Sequence, residues 1–528
     1  MKRLFPDLAL AAPAGYQSAV SQTAEFRNLH AEVLRLLGQG QSQQASARLD
    51  QARRERPDDP APDTVLGACL ARIGQRGEAV AAFGRALAFD PAYAPAYYLR
   101  GVEKQFANDA AGAHADFEKA VEADPDYPEA LAQLADHAAR RGDAAAARAF
   151  AGRALKGDPG DAVAALAFIS ADLIEKDFTA AEAGARAALG SGRLSPHNRA
   201  IAQGQLGDAL DGQARRAEAF AAWTSSNSQL KAHYAPMFER AEEHTPLGHA
   251  RRLQAWFDGA KAEDWSRRDV DGPTGQAAGH AFIVGFPRSG TTLLEQVLAS
   301  HPDVTALEEK SCLEDALGDL FLDGKALERL ARAKSDDLKP HRAAYWRRVE
   351  SFGVDPRGRM FIDKMPLNTV LLPLIHRLFP DAKILFALRD PRDVVLSCFR
   401  RRFGMNPAMY QMLTLRGAAD YYDTVMNLGV RYRELMPLKL REARYEALVE
   451  DFEGEARQHA AFLGLDWSGA MADFAKTAKS RAVNTPSSTQ VTRGLFREGV
   501  GQWKAYADQL AQVTPTLSKW ADRWGYAD

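Results

Sequence analysis

The 528-residue sequence predicts a multidomain chain: an all-α solenoid of helical repeats, followed by an α/β domain with a central parallel sheet. Asp-Pro pairs recur through the first third of the chain, the last three at a fixed period. Two stretches of the second half each run from an apolar strand through a tight polar turn into an amphipathic helix. Between these regimes the period is lost, and a stretch with Asp271-Gly272-Pro273-Thr274-Gly275 reads as a linker.

The Asp-Pro pairs fall at Asp59-Pro60, Asp90-Pro91, Asp124-Pro125 and Asp158-Pro159, the last three prolines being 34 residues apart. That period is the tetratricopeptide length. One unit supplies Leu66, Gly67, Ala79, Phe83, Ala86 and Pro91, and the next Tyr97, Gly101, Ala113, Phe117, Ala120 and Pro125. Small residues let the helices of a pair approach, aromatics fill the gap to the neighbouring pair, and proline stops the second helix. Less regular copies flank these units, around Ala31 to Asp58 and Ala164 to Lys231. Such an array serves as a concave peptide-binding surface, or as a rigid spacer or homodimerisation arm; the period testifies to fold and does not choose.

Composition narrows the rest. Lys plus Arg (67) nearly balances Asp plus Glu (69), for a formal charge of −2, so no overall bias toward nucleic acid exists and any anion site is local. Three widely spaced cysteines, Cys69, Cys312 and Cys398, exclude a disulfide framework or a Cys-based zinc module and fit a reducing compartment. Pro6 and Asp7 interrupt the apolar run a secretory signal needs, and no uncharged run approaches the roughly 18 residues of a membrane span. The expectation is a soluble, cytoplasmic protein.

From His280 the chain reads Ala-Phe-Ile-Val-Gly-Phe-Pro-Arg-Ser-Gly-Thr-Thr-Leu-Leu-Glu-Gln-Val-Leu: strand, Gly/Pro turn, helix from about Thr291. This order builds an anion site from the amides of Ser289, Gly290, Thr291 and Thr292, with Arg288 as cation. A nucleotide triphosphatase needs a lysine where Thr291 stands, which weakens the Mg²⁺-triphosphate reading. About a hundred residues on, the strand Asp381 to Leu388 runs into Arg389-Asp390-Pro391-Arg392-Asp393 and a helix from Val394 to Arg402. Asp390 suits an N-cap and Pro391 the first helical position, leaving Arg389 and Ser397 to point at a second phosphate. Arg400-Arg401-Arg402 reads as a solvated helix end, with attraction of an acidic acceptor as the alternative.

Two phosphate sites without the lysine suggest a nucleotide phosphorylated at both ends of its ribose. Phe286-Pro287-Arg288-Ser289-Gly290-Thr291-Thr292 resembles the 5′-phosphosulfate loop of sulfotransferases, and Leu388 to Asp393 with Ser397 resembles their 3′-phosphate segment. The likeness is to tetratricopeptide-repeat sulfotransferases and, over about residues 276 to 510, to tyrosylprotein sulfotransferases. It implies 3′-phosphoadenosine 5′-phosphosulfate (PAPS) as donor, no metal, and a P-loop-like sulfotransferase domain.

By the same resemblance, Glu309 in Leu307-Glu308-Glu309-Lys310 is the catalytic base, with Glu308 as fallback; on residue type alone Glu309 reads as a solvated carboxylate. Ser311 stands where the tyrosylprotein enzymes carry an arginine that helps hold a peptide. Lys364 is implied near the sulfuryl group, Tyr445 along the nucleotide, and Ser487 beside the transferred group. Arg497-Glu498-Gly499-Val500-Gly501-Gln502-Trp503-Lys504 resembles the lid whose arginine and glycine grip the 3′-phosphate, one residue shorter between its glycines.

The expected organisation is an N-terminal segment (1–29), a repeat array (30–232), a helical connector and linker (233–275) and a PAPS-dependent sulfotransferase domain (276–528). Catalysis falls to Glu309, Lys364, Arg288 and Ser487, and donor binding to Pro287, Arg288, Ser289, Gly290, Thr291, Thr292, Arg389, Ser397, Tyr445, Arg497 and Gly499. The acceptor is a hydroxyl on a peptide, protein, glycan or small molecule. The alternatives are a P-loop kinase or hydrolase, marked by Mg²⁺-dependent ATP turnover, and a scaffold whose second domain binds nucleotide without turnover.

Overall fold

The computed structural model describes residues 24–39, 41–107, 109–266, 277–480, 494–495 and 499–526. It divides into two compact units, Met1–Gln213 and Ala214–Asp528.

The described part of the first unit is wholly helical. Its regular core pairs Ala61–Arg72 with Arg76–Phe89, Ala94–Phe106 with Ala110–Ala123, and Pro128–Arg140 with Ala144–Gly157; Ala24–Gly38 and Ser42–Glu55 precede them, and Ala162–Glu175, Phe178–Gly190 and Pro196–Gly212 follow. These are tetratricopeptide-type helix pairs, and the Asp-Pro punctuation has a mechanical basis. Asp90, Asp124 and Asp158 end their helices in extended conformation. Each then accepts, through Oδ1, the backbone N–H two residues on: Ala92 at 2.9 Å, Asp126 at 3.1 Å and Gly160 at 2.9 Å. The aspartate is thus the stop, and the proline fixes the turn after it. Gly67 and Gly101 face Phe83 and Phe117, where a Cβ would lie 2.5 Å and 2.7 Å from the rings. The aromatic therefore fills the space inside its own pair, not only the gap to the next. Tyr98 is core, packed on Phe117 and Tyr127.

The second unit holds a five-stranded sheet of β1 (Gly279–Gly285), β2 (Val304–Glu308), β3 (Met360–Lys364), β4 (Lys383–Leu388) and β5 (Lys439–Arg444), in the order β2-β3-β1-β4-β5. Every pairing is parallel. Helices α2 (Thr291–Ala299), α3 (Pro391–Arg400) and α4 (Leu415–Leu435) cover it, after α1 (Arg216–Phe238) and before α5 (Thr514–Trp524). Burial on both faces explains why β1 and β4 read as unbroken apolar runs. Register brings the strand ends to one edge: Glu308 pairs with Lys364, Ile283 with Lys364, Gly285 with Ala387, and Leu388 with Arg444. The chain moves from β1 outward to β2 and back to β3, then crosses to β4, so the loop after β1 sits where strand order reverses.

Helix α1, which the sequence reading ends within the array, belongs to this second unit. Its Trp223 is buried, Phe220 stacks on Phe399 at 5.2 Å, and Asn227 Nδ2 donates to Phe399 O at 2.7 Å. The expected connector is likewise packed here: Arg431 Nε donates to Phe257 O at 3.0 Å and His376 Nε2 to Trp265 O at 2.9 Å. Among the described residues no helix is long and apolar enough to cross a membrane.

Candidate active site

The loop leaving β1 is held in a conformation few residues adopt. Arg288 and Gly290 have φ of +72° and +91°. A Cβ on Gly290 would lie 2.7 Å from the Tyr445 ring, so glycine here is required by conformation and by contact alike. Thr369 Oγ1 braces the loop by donating to Gly285 O at 2.7 Å. Gly290 is the N-cap of α2 and offers no side-chain acceptor, and the first turn, Thr291 to Leu293, lines a cavity of about 450 Å³. The positive helix end makes this wall suited to an anion.

The second segment forms an adjoining wall of the same cavity. Asp390 caps α3, accepting from Arg392 N at 2.9 Å, and Pro391 takes the first helical position. Arg389 lies over the Tyr445 ring at 4.9 Å, donates through Nη1 to Arg288 O at 3.1 Å, and donates through Nη2 to Gly499 O. Its buried Nε has no partner among the described residues. Arg288 turns its side chain to this segment, donating through Nε to Ser397 Oγ at 3.0 Å. Burial, then the neighbouring positive charges of Arg401, Arg389 and Arg400, push the Arg288 guanidinium down to about 9. An orphaned guanidinium N–H and mutually repelling arginines fit a ligand bearing more than one negative group.

On a third side, β2 and β3 end in a buried cluster. Lys364 Nζ lies 2.8 Å from Glu309 Oε1, 3.3 Å from Glu308 Oε1 and 3.6 Å from Glu295 Oε2. Lys364 and Glu295 have no exposed side-chain surface, whereas Glu309 is 39% exposed. Burial pulls the lysine down, but the three carboxylates outweigh it and raise its pKa. Glu309 has φ +47°, and its N–H donates to Lys364 O at 2.8 Å. That local strain bends the chain off the sheet and brings Glu309 to the cavity wall.

Of the residues expected at the site, Pro287, Arg288, Gly290, Thr291, Thr292, Glu309, Arg389, Ser397 and Tyr445 line this one cavity. Gly499 is joined to it through Arg389. Two others do not line it. Ser289 is buried, donates its N–H to Phe286 O at 3.2 Å and does not line the wall. Lys364 is likewise sealed beneath Glu309 and reaches the cavity only through that carboxylate. Ser487 and Arg497 lie outside the described residues. Arg400, read as part of a solvated helix end, lines the cavity and donates to Gln502 Oε1. Sequence reasoning also passed over Gln502 and the apolar wall of Met365, Leu367, Phe403 and Met409. Among the described residues no cluster of three or more His, Cys, Asp and Glu side chains is arranged to hold a metal ion.

Residues 281–469 match the model of the sulfotransferase family. An uncharacterised protein of Aquifex aeolicus (strain VF5) is 28% identical over 250 residues, covering 45% of this chain and 32% of that protein. A protein-tyrosine sulfotransferase of Drosophila melanogaster is 24% identical over 265 residues, covering 45% of this chain and 50% of that protein. The chain thus spans a third to a half of these relatives' length. The solved sulfotransferase domain of the Synechococcus PCC 7002 olefin synthase is 24% identical, covering 46% of this chain and 90% of that one at a TM-score of 0.32. Within the C-terminal half of this chain, residues 281–469 thus resemble a sulfotransferase-family domain, and in sequence they follow a tetratricopeptide-type helical array.

Proposed function

We propose that the second unit transfers a sulfuryl group from PAPS to an acceptor hydroxyl. The observation that carries this is the convergence of both anion-suited segments and Glu309 on one cavity. PAPS supplies an activated sulfuryl group, and adenosine 3′,5′-bisphosphate is what remains after transfer. Thr291, Thr292 and the amides of the α2 terminus hold the phosphosulfate end. Arg389, Ser397 and Arg288 hold the 3′-phosphate end, with Arg497 and Gly499 as further ligands by resemblance, and Tyr445 lies along the nucleotide. Glu309 accepts the hydroxyl proton as the acceptor oxygen bonds to sulfur and the bond from sulfur to the bridging oxygen breaks. Lys364 orients Glu309 and offsets the negative charge growing nearby. Ser487 is proposed to assist the transferred group.

The Drosophila relative's name makes a peptide tyrosine the first acceptor to try, while Ser311, standing where an arginine is expected, favours a less acidic peptide or another phenol. The test is calorimetry of the full chain with adenosine 3′,5′-bisphosphate, followed by label transfer from sulfur-labelled PAPS to tyrosine peptides and simple phenols. Micromolar binding and labelled acceptor are expected. Absence of affinity for the bisphosphate overturns the reading.

A further inference from the structure

We infer that Asp393 is a positioning residue: through the Gly499–Trp503 turn, its carboxylate fixes two cavity arginines, Arg389 of the nucleotide subsite and Arg400 beside it. Asp393 sits in the first turn of α3, and its side chain has no exposed surface. Its Oδ2 accepts the N–H of Gly501 at 2.7 Å and its Oδ1 the N–H of Trp503 at 2.8 Å. Both oxygens are therefore committed to one turn more than a hundred residues away. Gly501 has φ +72°, the conformation that lets these two amides converge on one carboxylate. Arg392, the preceding residue, lies 3.8 Å from the Trp503 ring centre and seals the pair from the side.

The turn returns the contact through its own acceptors. Gly499 O receives Arg389 Nη2, and Gln502 Oε1 receives Arg400 Nη2. Both arginines line the cavity. Asp393 touches no cavity surface itself, yet it determines where the acceptors that orient those guanidinium groups stand. Arg389 also approaches Asp393 Oδ2 at 3.9 Å, so the same carboxylate balances part of its charge. An arginine held before the ligand arrives spends less of the binding free energy on ordering. Removing the carboxylate leaves two turn amides without their acceptor and frees the turn from α3.

The inference rests on the nucleotide reading above, and the experiment separates the two. Calorimetry on the full chain gives the affinity ratio between adenosine 3′,5′-bisphosphate and adenosine 5′-monophosphate. In the wild type the bisphosphate binds more tightly. Asp393→Ala should cut that preference at least tenfold and raise the KM for PAPS while leaving the acceptor KM in place. Asp393→Asn, of equal volume and retaining one acceptor oxygen, should fall between. An unchanged ratio in either variant, with thermal melting near that of the wild type, overturns the inference. If Asp393→Ala does not fold, the ratio in Asp393→Asn decides. A wild type that does not distinguish the nucleotides overturns the subsite reading and this inference with it.

Discussion

Glu309 contacts Lys364 twice, its carboxylate reaching Nζ at 2.8 Å and its backbone N–H reaching the lysine's carbonyl at 2.8 Å. The base and its cation are thus locked by the main chain as well as by charge. Glu309→Gln keeps the shape and removes the proton acceptor. Transfer should fall about 10²- to 10⁴-fold in a single-turnover assay, with affinity for adenosine 3′,5′-bisphosphate unchanged. A full rate in this variant would remove Glu309 from the mechanism.

Lys364 has a second, structural duty. Lys364→Met would leave Glu295, fully buried, beside Glu308 and Glu309 with no lysine among them. Breaking such a buried pair costs about 3–5 kcal/mol. Thermal melting should drop markedly, and adding Glu295→Gln should recover part of the loss.

In the helical array, Gly101→Ala places a methyl 2.7 Å from the Phe117 ring, whereas Gly152→Ala meets nothing within 4 Å. Overpacking should cost the first about 1–3 kcal/mol. The second should be stabilised by about 0.5–1 kcal/mol, since alanine is the better helix former. Chemical denaturation of the two variants should shift in opposite directions.

Asp363, next to the lysine in β3, is buried, accepting from Tyr345 OH at 2.8 Å, while that hydroxyl also meets His280 Nε2 at 3.0 Å. Burial pushes its carboxyl up to about 7, with the Tyr345 hydrogen bond and Lys364 pulling back. Unfolded, the same group titrates near 3.9. Between these limits the native state holds a proton that the unfolded chain has released, so the contribution is whole below about 4 and lost as pH rises to about 7. Melting temperature should fall across that window. Asp363→Asn should flatten the slope, gaining most relative to wild type at pH 7.5; parallel pH profiles would count against the buried carboxyl.

Much of this was legible because it is local. An Asp-Pro pair writes its own Asx turn, and strand, glycine turn and helix write an anion loop, each within a dozen residues. What escaped depends on residues distant in sequence. Nothing around Arg400 announces Gln502, and nothing around Arg288 announces that its side chain turns to Ser397. Ser289 looked like a donor because its neighbours are, yet its amide closes the turn on Phe286. Lys364 between an apolar strand and Met-Pro did signal burial, but the carboxylates enclosing it come from three other positions. Glu295 left a sign that was passed over: a charge amid Leu-Leu-Glu-Gln-Val-Leu on a helix buried along most of its length. The array read to 232 takes in most of α1, whose packing on Phe399 is set by residues far off in sequence.

β1 is the first strand of the sheet to leave the ribosome and the innermost once the sheet is complete. Its flank toward β4 stays bare until Leu388 is made, an interval on the order of ten seconds at ordinary elongation rates. Until β3 follows at 360–364 both rims of the apolar run Ala281 to Val284 are unsatisfied, and until β4 follows one still is, open to a neighbouring nascent chain. Slower translation downstream of β1 would lengthen that exposure, and a holdase bound during synthesis would shield it.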